Sequence, residues 1–319
     1  MLTPEILEPF VRLACSMSAD ELFDYLQTIG FTLIDYGTET GHRWSKDTTK
    51  NRYAIRPGLN EDAPLLVCHA DTVRPITSYD YDNETGRVTS LGLDDRLGVA
   101  LMLYGIAYGD LFDCAMLVCD NEEIGCSTAS QFVSDQLTLP TIVPNMLIEF
   151  DRRGDDVVTY CFGDTTFHSL LQSVGFTIGQ GSFSDICSME EMEVKGFNVG
   201  IGYHREHSNE CYAMLADTCK QYDRTLQFLA LFGNVRLHHT IAKRVVSHWD
   251  NPRQNDTATI SNDWDDIADN DDDDEMDGWY LCDSCGFHCL ETDDGCNELH
   301  NGIVCDSCFD CAKYLTRKS

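Results

Sequence analysis

The chain has 319 residues, enough for one large domain or two of ordinary size, and an apolar content of 43% allows a substantial core. It carries 54 acidic against 22 basic side chains, a formal net charge of −32. Charge of that sign argues against nucleic acid, whose phosphates need clustered Lys and Arg, and against anionic membrane surfaces. No stretch reaches the roughly 20 apolar residues of a membrane span. Met1 to Glu8 offers neither the basic nor the long apolar region of a signal peptide. Of sixteen cysteines, nine are scattered singly through the first 220 residues and seven crowd into the last forty in CxxC spacings. Buried thiols with a metal cluster point to a reducing cytoplasm.

In chain order, residues 4–29 read as two short helices. Pro4 opens the first, Ser18-Ala19-Asp20-Glu21 caps the second, and Gly30 ends it. Strands are expected at Phe31–Tyr36, Arg52–Ile55 and Leu65–Cys68, the last running into His69-Ala70-Asp71. Asn83-Glu84-Thr85-Gly86 signals a hairpin, and the apolar run Val99–Ile106 after Asp94-Asp95-Arg96-Leu97-Gly98 reads as a buried helix. A strand ending at Cys119, a helix over 127–136, the strand Met146–Phe150 and a helix near Thr165–Val174 follow. Then come a Gly/Ser-rich turn at 179–185, the strand Phe197–Ile201 and a long helix over Cys211–Phe232. Alternating strands and helices predict an α/β fold, with polar clusters at the C-terminal ends of strands, where open sheets place their sites. From Asp250 to Asp277 periodicity is lost, and Asp271 to Glu275 repel one another, so this stretch is expected to be a disordered acidic linker.

The chemistry centres on Glu122-Glu123-Ile124-Gly125, delivered by the apolar run Ala115–Cys119. Adjacent side chains at a strand exit diverge, so one glutamate can bind a metal while its neighbour moves a proton. Candidate ligands line up along the chain as His69 with Asp71, Asp94 with Asp95, Glu122 with Glu123, Asp151, and His207. Each has a plainer reading alone: a strand-end histidine, an Asp N-cap, a surface glutamate pair, an ion pair of Asp151 with Arg152 and Arg153. Their joint order, HxD, DDRxG, EExG, strand-end Asp and His-Ser-Asn-Glu, resembles the co-catalytic di-zinc metallopeptidases of families M20, M28 and M42. The match covers roughly residues 60–232. About 25 residues separate His69 from Asp94 and 56 separate Asp151 from His207. Neither gap holds an inserted domain, so the chain is similar to the compact M28-like core, although its DDRxG wording is closer to M42.

The resemblance implies a three-layer αβα sandwich with a mixed, mostly parallel sheet, and two divalent ions, zinc or alternatively cobalt or manganese. Asp94 would bridge them, His69 and Asp151 would complete the first site, and Glu123 and His207 the second. Glu122 would be the general base toward a metal-activated bridging water, and Asp71 would fix the His69 tautomer. The implied activity is an aminopeptidase on peptide N-termini; an amidohydrolase or deacylase on the same centre, or a non-catalytic interaction protein, are the alternatives. His204 lines the pocket or caps a strand, Ser184-Asp185 is a pocket-side turn or a plain one, and His168 is structural.

After the linker, Cys282-x-x-Cys285 and Cys305-x-x-Cys308, 19 residues apart, have the spacing of a four-cysteine zinc ribbon. A segment this short needs the metal to fold. His288, Cys289, Cys296, His300 and Cys311 remain for a second zinc site or none. Its acidic loops favour a protein partner over nucleic acid. The expected division is a catalytic domain over 1–248, the linker over 249–278 and the cysteine-rich module over 279–319.

Overall fold

The computed structural model describes residues 2–42, 45–60, 62–111, 113–125, 127–138 and 142–241, and four short strands beyond them. The chain divides into two compact units, Met1–Ile241 and Ala242–Ser319. In the second unit, Trp279–Leu281 pairs with His288–Leu290 and Cys296–Leu299 with Gly302–Cys305, both antiparallel. The expected acidic linker, and Cys282, Cys285, Cys308, His300 and Cys311, lie outside the described residues.

The first unit is built on one mixed sheet. Its strands are β1 (Thr32–His42), β2 (Ser45–Arg56), β3 (Leu65–His69), β4 (Tyr79–Asp82), β5 (Arg87–Ser90), β6 (Ala115–Cys119), β7 (Leu147–Arg153), β8 (Val157–Val158), β9 (Gly196–His204) and β10 (Tyr212–Met214). They run in the order β1-β2-β6-β3-β7-β9-β10-β5-β4, with β8 beside β9. The central strands β6, β3, β7 and β9 are parallel, so their carboxyl ends meet at one edge. Antiparallel strands flank them on both sides.

Both faces of the sheet are covered, and the strand sequences say so. In β3, Leu66 and Cys68 join one buried cluster while Leu65 and Val67 join the other; β6 splits likewise, with Met116 and Val118 opposite Ala115, Leu117 and Cys119. Continuous apolar strands are what a sheet buried on two faces requires. One layer holds the helices α1 (Pro4–Ser16), α2 (Ala19–Thr28), α3 (Leu93–Tyr108), α5 (Thr165–Ser173) and α6 (Leu215–Phe232). The other holds α4 (Ala129–Thr138) and a 3₁₀ segment, Asp185–Met192. Helix α3 is buried from Leu93 to Gly105 because it lies between the sheet and α1, which explains its unbroken apolar run. A capping box at Ser18 and Glu21 starts α2 as expected.

Two expectations shift, and one element was not expected. The helix expected from Cys211 begins at Leu215, because Tyr212–Met214 instead pairs with both β9 and β5 as β10. Strands β1 and β2 extend as a long hairpin well past the apolar residues that revealed them. The 3₁₀ segment after the Gly/Ser turn carries no helical period for its apolar residues to reveal.

Candidate metal centre

Every candidate side chain of the first unit arrives from the carboxyl edge of the parallel strands or from α3, which starts at that edge. His69 is the last residue of β3, Glu122 and Glu123 follow β6 after the two residues Asp120 and Asn121, Asp151 lies in β7, and His207 follows β9. The step after β6 is set by its own contacts. Asn121 takes a left-handed φ of 66° and its amide donates to the Lys50 carbonyl at 2.8 Å. Gly125, at φ 68°, closes the turn by donating its N–H to the Glu122 carbonyl at 2.8 Å. Asp120 is turned inward onto Arg52, 2.8 Å away.

Two triads form. Ligand atoms of His69, Asp94 and Asp151 all lie within 4.8 Å of one another, and so do those of Asp94, Glu123 and His207. Asp94 belongs to both. Its Oδ1 lies 3.5 Å from His69 Nε2, while its Oδ2 lies 3.1 Å from His207 Nε2. His69 Nε2 is also 3.6 Å from Asp151 Oδ1, and His207 Nε2 is 3.0 Å from Glu123 Oε2. Glu122 belongs to neither triad, and its Oε2 stands 3.9 Å from His69 Nε2.

The donor set fits metal ions. His69 is fully buried, and its Nε2 has no hydrogen-bond partner. Its Nδ1 faces the Asp71 backbone oxygen at 3.1 Å and carboxylate at 3.4 Å, a tautomer that leaves the Nε2 lone pair aimed at carboxylates. A lone pair surrounded by anions is unfavourable unless a cation, a proton or a metal ion, lies between. A tetrahedral ion at about 2.0–2.2 Å needs gaps of about 3.3–3.6 Å between ligand atoms; the His69 gaps of 3.5 and 3.6 Å match it, while those of His207, 3.0 and 3.1 Å, are at hydrogen-bond length. Glu123 Oε1 is likewise buried without a partner.

Electrostatics point the same way. Burial alone would lower the His69 pKa, but Asp151, Asp71 and Asp94 outweigh it and hold it well above the ordinary value. Hydrogen bonds with Asp94 and Glu123 raise His207 to about 10. Burial, then the charge of Asp94, pushes Asp151 well up. Burial raises Glu122 to about 8, with the charges of Asp185, Glu123 and Asp94 adding to it against His69. The pocket holds more negative charge than its imidazoles can neutralise, so it favours cations.

The support around the triads resolves several alternatives. Asp95, adjacent to Asp94, turns away: its oxygens accept from His69 N–H at 3.3 Å and Gly98 N–H at 3.1 Å, so it caps the helical part of α3. Gly98 is required, since a Cβ there would sit 2.2 Å from the Phe150 carbonyl and 2.4 Å from Asp95 Oδ1. Arg96 is buried and donates to the Ala14 carbonyl at 3.0 Å, tying α3 to α1. Arg152 and Arg153 pair with Asp156 and Glu206, which leaves Asp151 to the centre. The Asp71 carboxylate does more than the sequence suggests, accepting the Glu122 and Glu123 amides at 3.2 and 3.0 Å. The His204 ring lies tilted against Tyr212, with centroids 5.1 Å apart. His168 contacts Thr159 Oγ1 at 2.9 Å.

Sequence reasoning missed Tyr203 and Glu149. The Tyr203 hydroxyl reaches Asp151 Oδ1 at 3.1 Å and Asp94 Oδ1 at 3.3 Å. Its signal was only its place one residue before the end of β9. Glu149, inside an apolar strand, is fully buried and accepts from Ser184 Oγ at 2.5 Å. Burial raises the Glu149 pKa, and the charge of Asp185, also fully buried, raises it further.

No protein-family model and no curated protein matches the chain. Solved structures do. A tripeptidase from Staphylococcus aureus is 10% identical, with 72% of this chain and 99% of that one covered at a TM-score of 0.52. The aminopeptidase PepT from Bacillus cereus is 11% identical, with 71% and 98% covered and a TM-score of 0.51. A glutaminyl cyclase from an Acidobacteriales bacterium is 12% identical, with 72% and 94% covered and a TM-score of 0.52. The first unit therefore has the α/β fold of these proteins, as the sequence pattern implied. Among the described residues, no helix is long and apolar enough to cross a membrane.

Proposed function

We propose that the chain is a two-metal hydrolase of amide bonds, an aminopeptidase that acts on peptide N-termini in the cytoplasm. The observation that carries this reading is the division of Asp94, with one oxygen toward His69 and the other toward His207. His69, Asp94 and Asp151 would hold one divalent ion, and Asp94, Glu123 and His207 the other, with zinc favoured by the imidazole and carboxylate donors. Bound there, the ions would supply Lewis acidity to the scissile carbonyl and to the attacking water. Glu122, outside both ligand sets but 3.9 Å from His69, takes the proton of that water and returns it to the leaving nitrogen. Asp71 holds the amides of both glutamates, so the base keeps its place while its neighbour binds metal. Tyr203 orients Asp94 and Asp151. The His207 side chain, 52% exposed, marks the side from which a peptide's free α-amine enters.

Cys282, Cys285, Cys305 and Cys308 would form a separate zinc module over 279–319 that docks a protein partner.

Glu122→Gln tests the reading. Hydrolysis of a dipeptide amide is expected to fall by about 10²- to 10⁴-fold with metal content unchanged; full activity would refute it. Comparing free-amine with N-acylated amides separates an aminopeptidase from a deacylase on the same centre.

A further inference from the structure

A third group of ligand types lies apart from the dinuclear centre. Cys161, Glu190 and His239 come from three separate stretches, the 3₁₀ turn Tyr160–Phe162, the 3₁₀ segment Asp185–Met192 and the chain after α6. Their ligand atoms nonetheless lie within 4.8 Å of one another. His239 Nε2 is 3.0 Å from Glu190 Oε1. His239 is only 8% exposed, and its Nδ1 is buried without a partner.

The imidazole is held by its surroundings. The His239 N–H donates to the Glu193 carbonyl at 3.0 Å, and the Lys195 N–H donates to the Leu237 carbonyl at 2.7 Å. His238 bridges Val194, and the His239 ring meets Phe162 edge-on with centroids 5.0 Å apart. These contacts fix the direction of the ring before any ligand arrives, so little ordering is left to oppose binding. Cys161 is exposed, so an ion and its solvent ligand can reach the thiol.

We propose that Cys161, Glu190 and His239 form a third metal site, for a borderline-soft divalent ion of the zinc class. A thiolate and a carboxylate neutralise the two charges of such an ion, and a neutral imidazole adds a third bond. Water or a fourth donor would complete a tetrahedron. Binding releases the Cys161 thiol proton. The ion would fasten the end of the first unit, at His239, to the segment that begins with Asp185. This inference does not depend on the hydrolase reading.

The test uses the full chain loaded with cobalt(II), comparing wild type with Cys161→Ser and Glu190→Gln. A thiolate bound to cobalt gives a near-ultraviolet charge-transfer band, which the imidazole and carboxylate donors of the dinuclear centre cannot give. The seven cysteines after residue 280 contribute equally to all three proteins, so the difference spectrum isolates Cys161. Cys161→Ser, nearly isosteric at an exposed position, is expected to remove one cobalt per chain and part of the band. Glu190→Gln keeps the thiol and is expected to weaken uptake of that ion at least tenfold. A flat difference spectrum with equal cobalt stoichiometry overturns the proposal. So does a difference that develops only at millimolar cobalt.

Discussion

The two halves of the proposed metal centre are built differently. The His69 half stands on strand ends: the His69 side chain is 1% exposed and Asp151 is 8% exposed. Both are fixed by neighbours, His69 through Asp71 and the Asp95 carboxylate, Asp151 through Asn198, whose side chain exchanges hydrogen bonds with its backbone at 3.0 and 2.7 Å. The His207 half pairs a buried Glu123 with a histidine that is 52% exposed and sits at a left-handed φ of 58° in the loop after β9. One half is part of the core, and the other is completed from a loop. An ion in the first half is expected to be structural and slow to leave, and one in the second to exchange readily and meet substrate.

The largest effect should come from the residue both halves share. Asp94→Ala is expected to abolish hydrolysis and to lower metal content by two equivalents, read by elemental analysis of the purified chain. Loss of only one equivalent would mean that the halves do not share Asp94. Next, His69→Ala and His207→Ala should separate the halves. His69→Ala removes a fully buried partner of three carboxylates, which is expected to cost about 3–5 kcal/mol in the chelated protein. His207→Ala removes a half-exposed partner of the buried Asp94 and Glu123 carboxylates, so it is expected to cost less stability than His69→Ala, yet should still lose one metal equivalent. Equal unfolding midpoints for the two variants in denaturant would erase the distinction.

The same contrast explains what could be read from the sequence. The buried half was legible because β3, β6 and β7 are continuous apolar runs, and a His or Asp that ends such a run has few places to go except the sheet's carboxyl edge. The order of ligand types suggested the rest of the set, and the resemblance suggested Asp94 rather than Asp95; the structure brings ligand atoms of Asp94 near both histidines. The supporting contacts were not legible. Tyr203 reads as one more residue of β9, and nothing local shows that its hydroxyl spans 109 positions to Asp94. Glu149 reads as an interruption in a strand until Ser184 is brought to it across the sheet. Cys161, Glu190 and His239 sit in segments without period, so only the fold could bring them together. Long-range side-chain pairing leaves no trace in local pattern.

A last effect is a pH dependence that belongs to the metal-free protein. Burial and surrounding carboxylates raise Glu122 from 4.5 to about 8, and burial raises Asp120 and Asp185 from 3.8 to about 6. A carboxyl whose pKa is higher folded than unfolded binds more protons when folded, so stability falls as pH rises. The contribution is fully present below about pH 4 and is lost progressively up to about pH 8. His207, raised to about 10, adds stability that is lost above neutrality, in the same direction. The chelated protein is therefore expected to melt at progressively lower temperature from pH 5 to pH 8. Cations held by the two triads would take the place of the His207 proton and lower Glu122 through their charge, so the metal-loaded protein should show a flatter profile over the same range. Parallel profiles with and without metal, measured by calorimetry at fixed ionic strength, would show that the carboxylates of the centre are not where the ions bind.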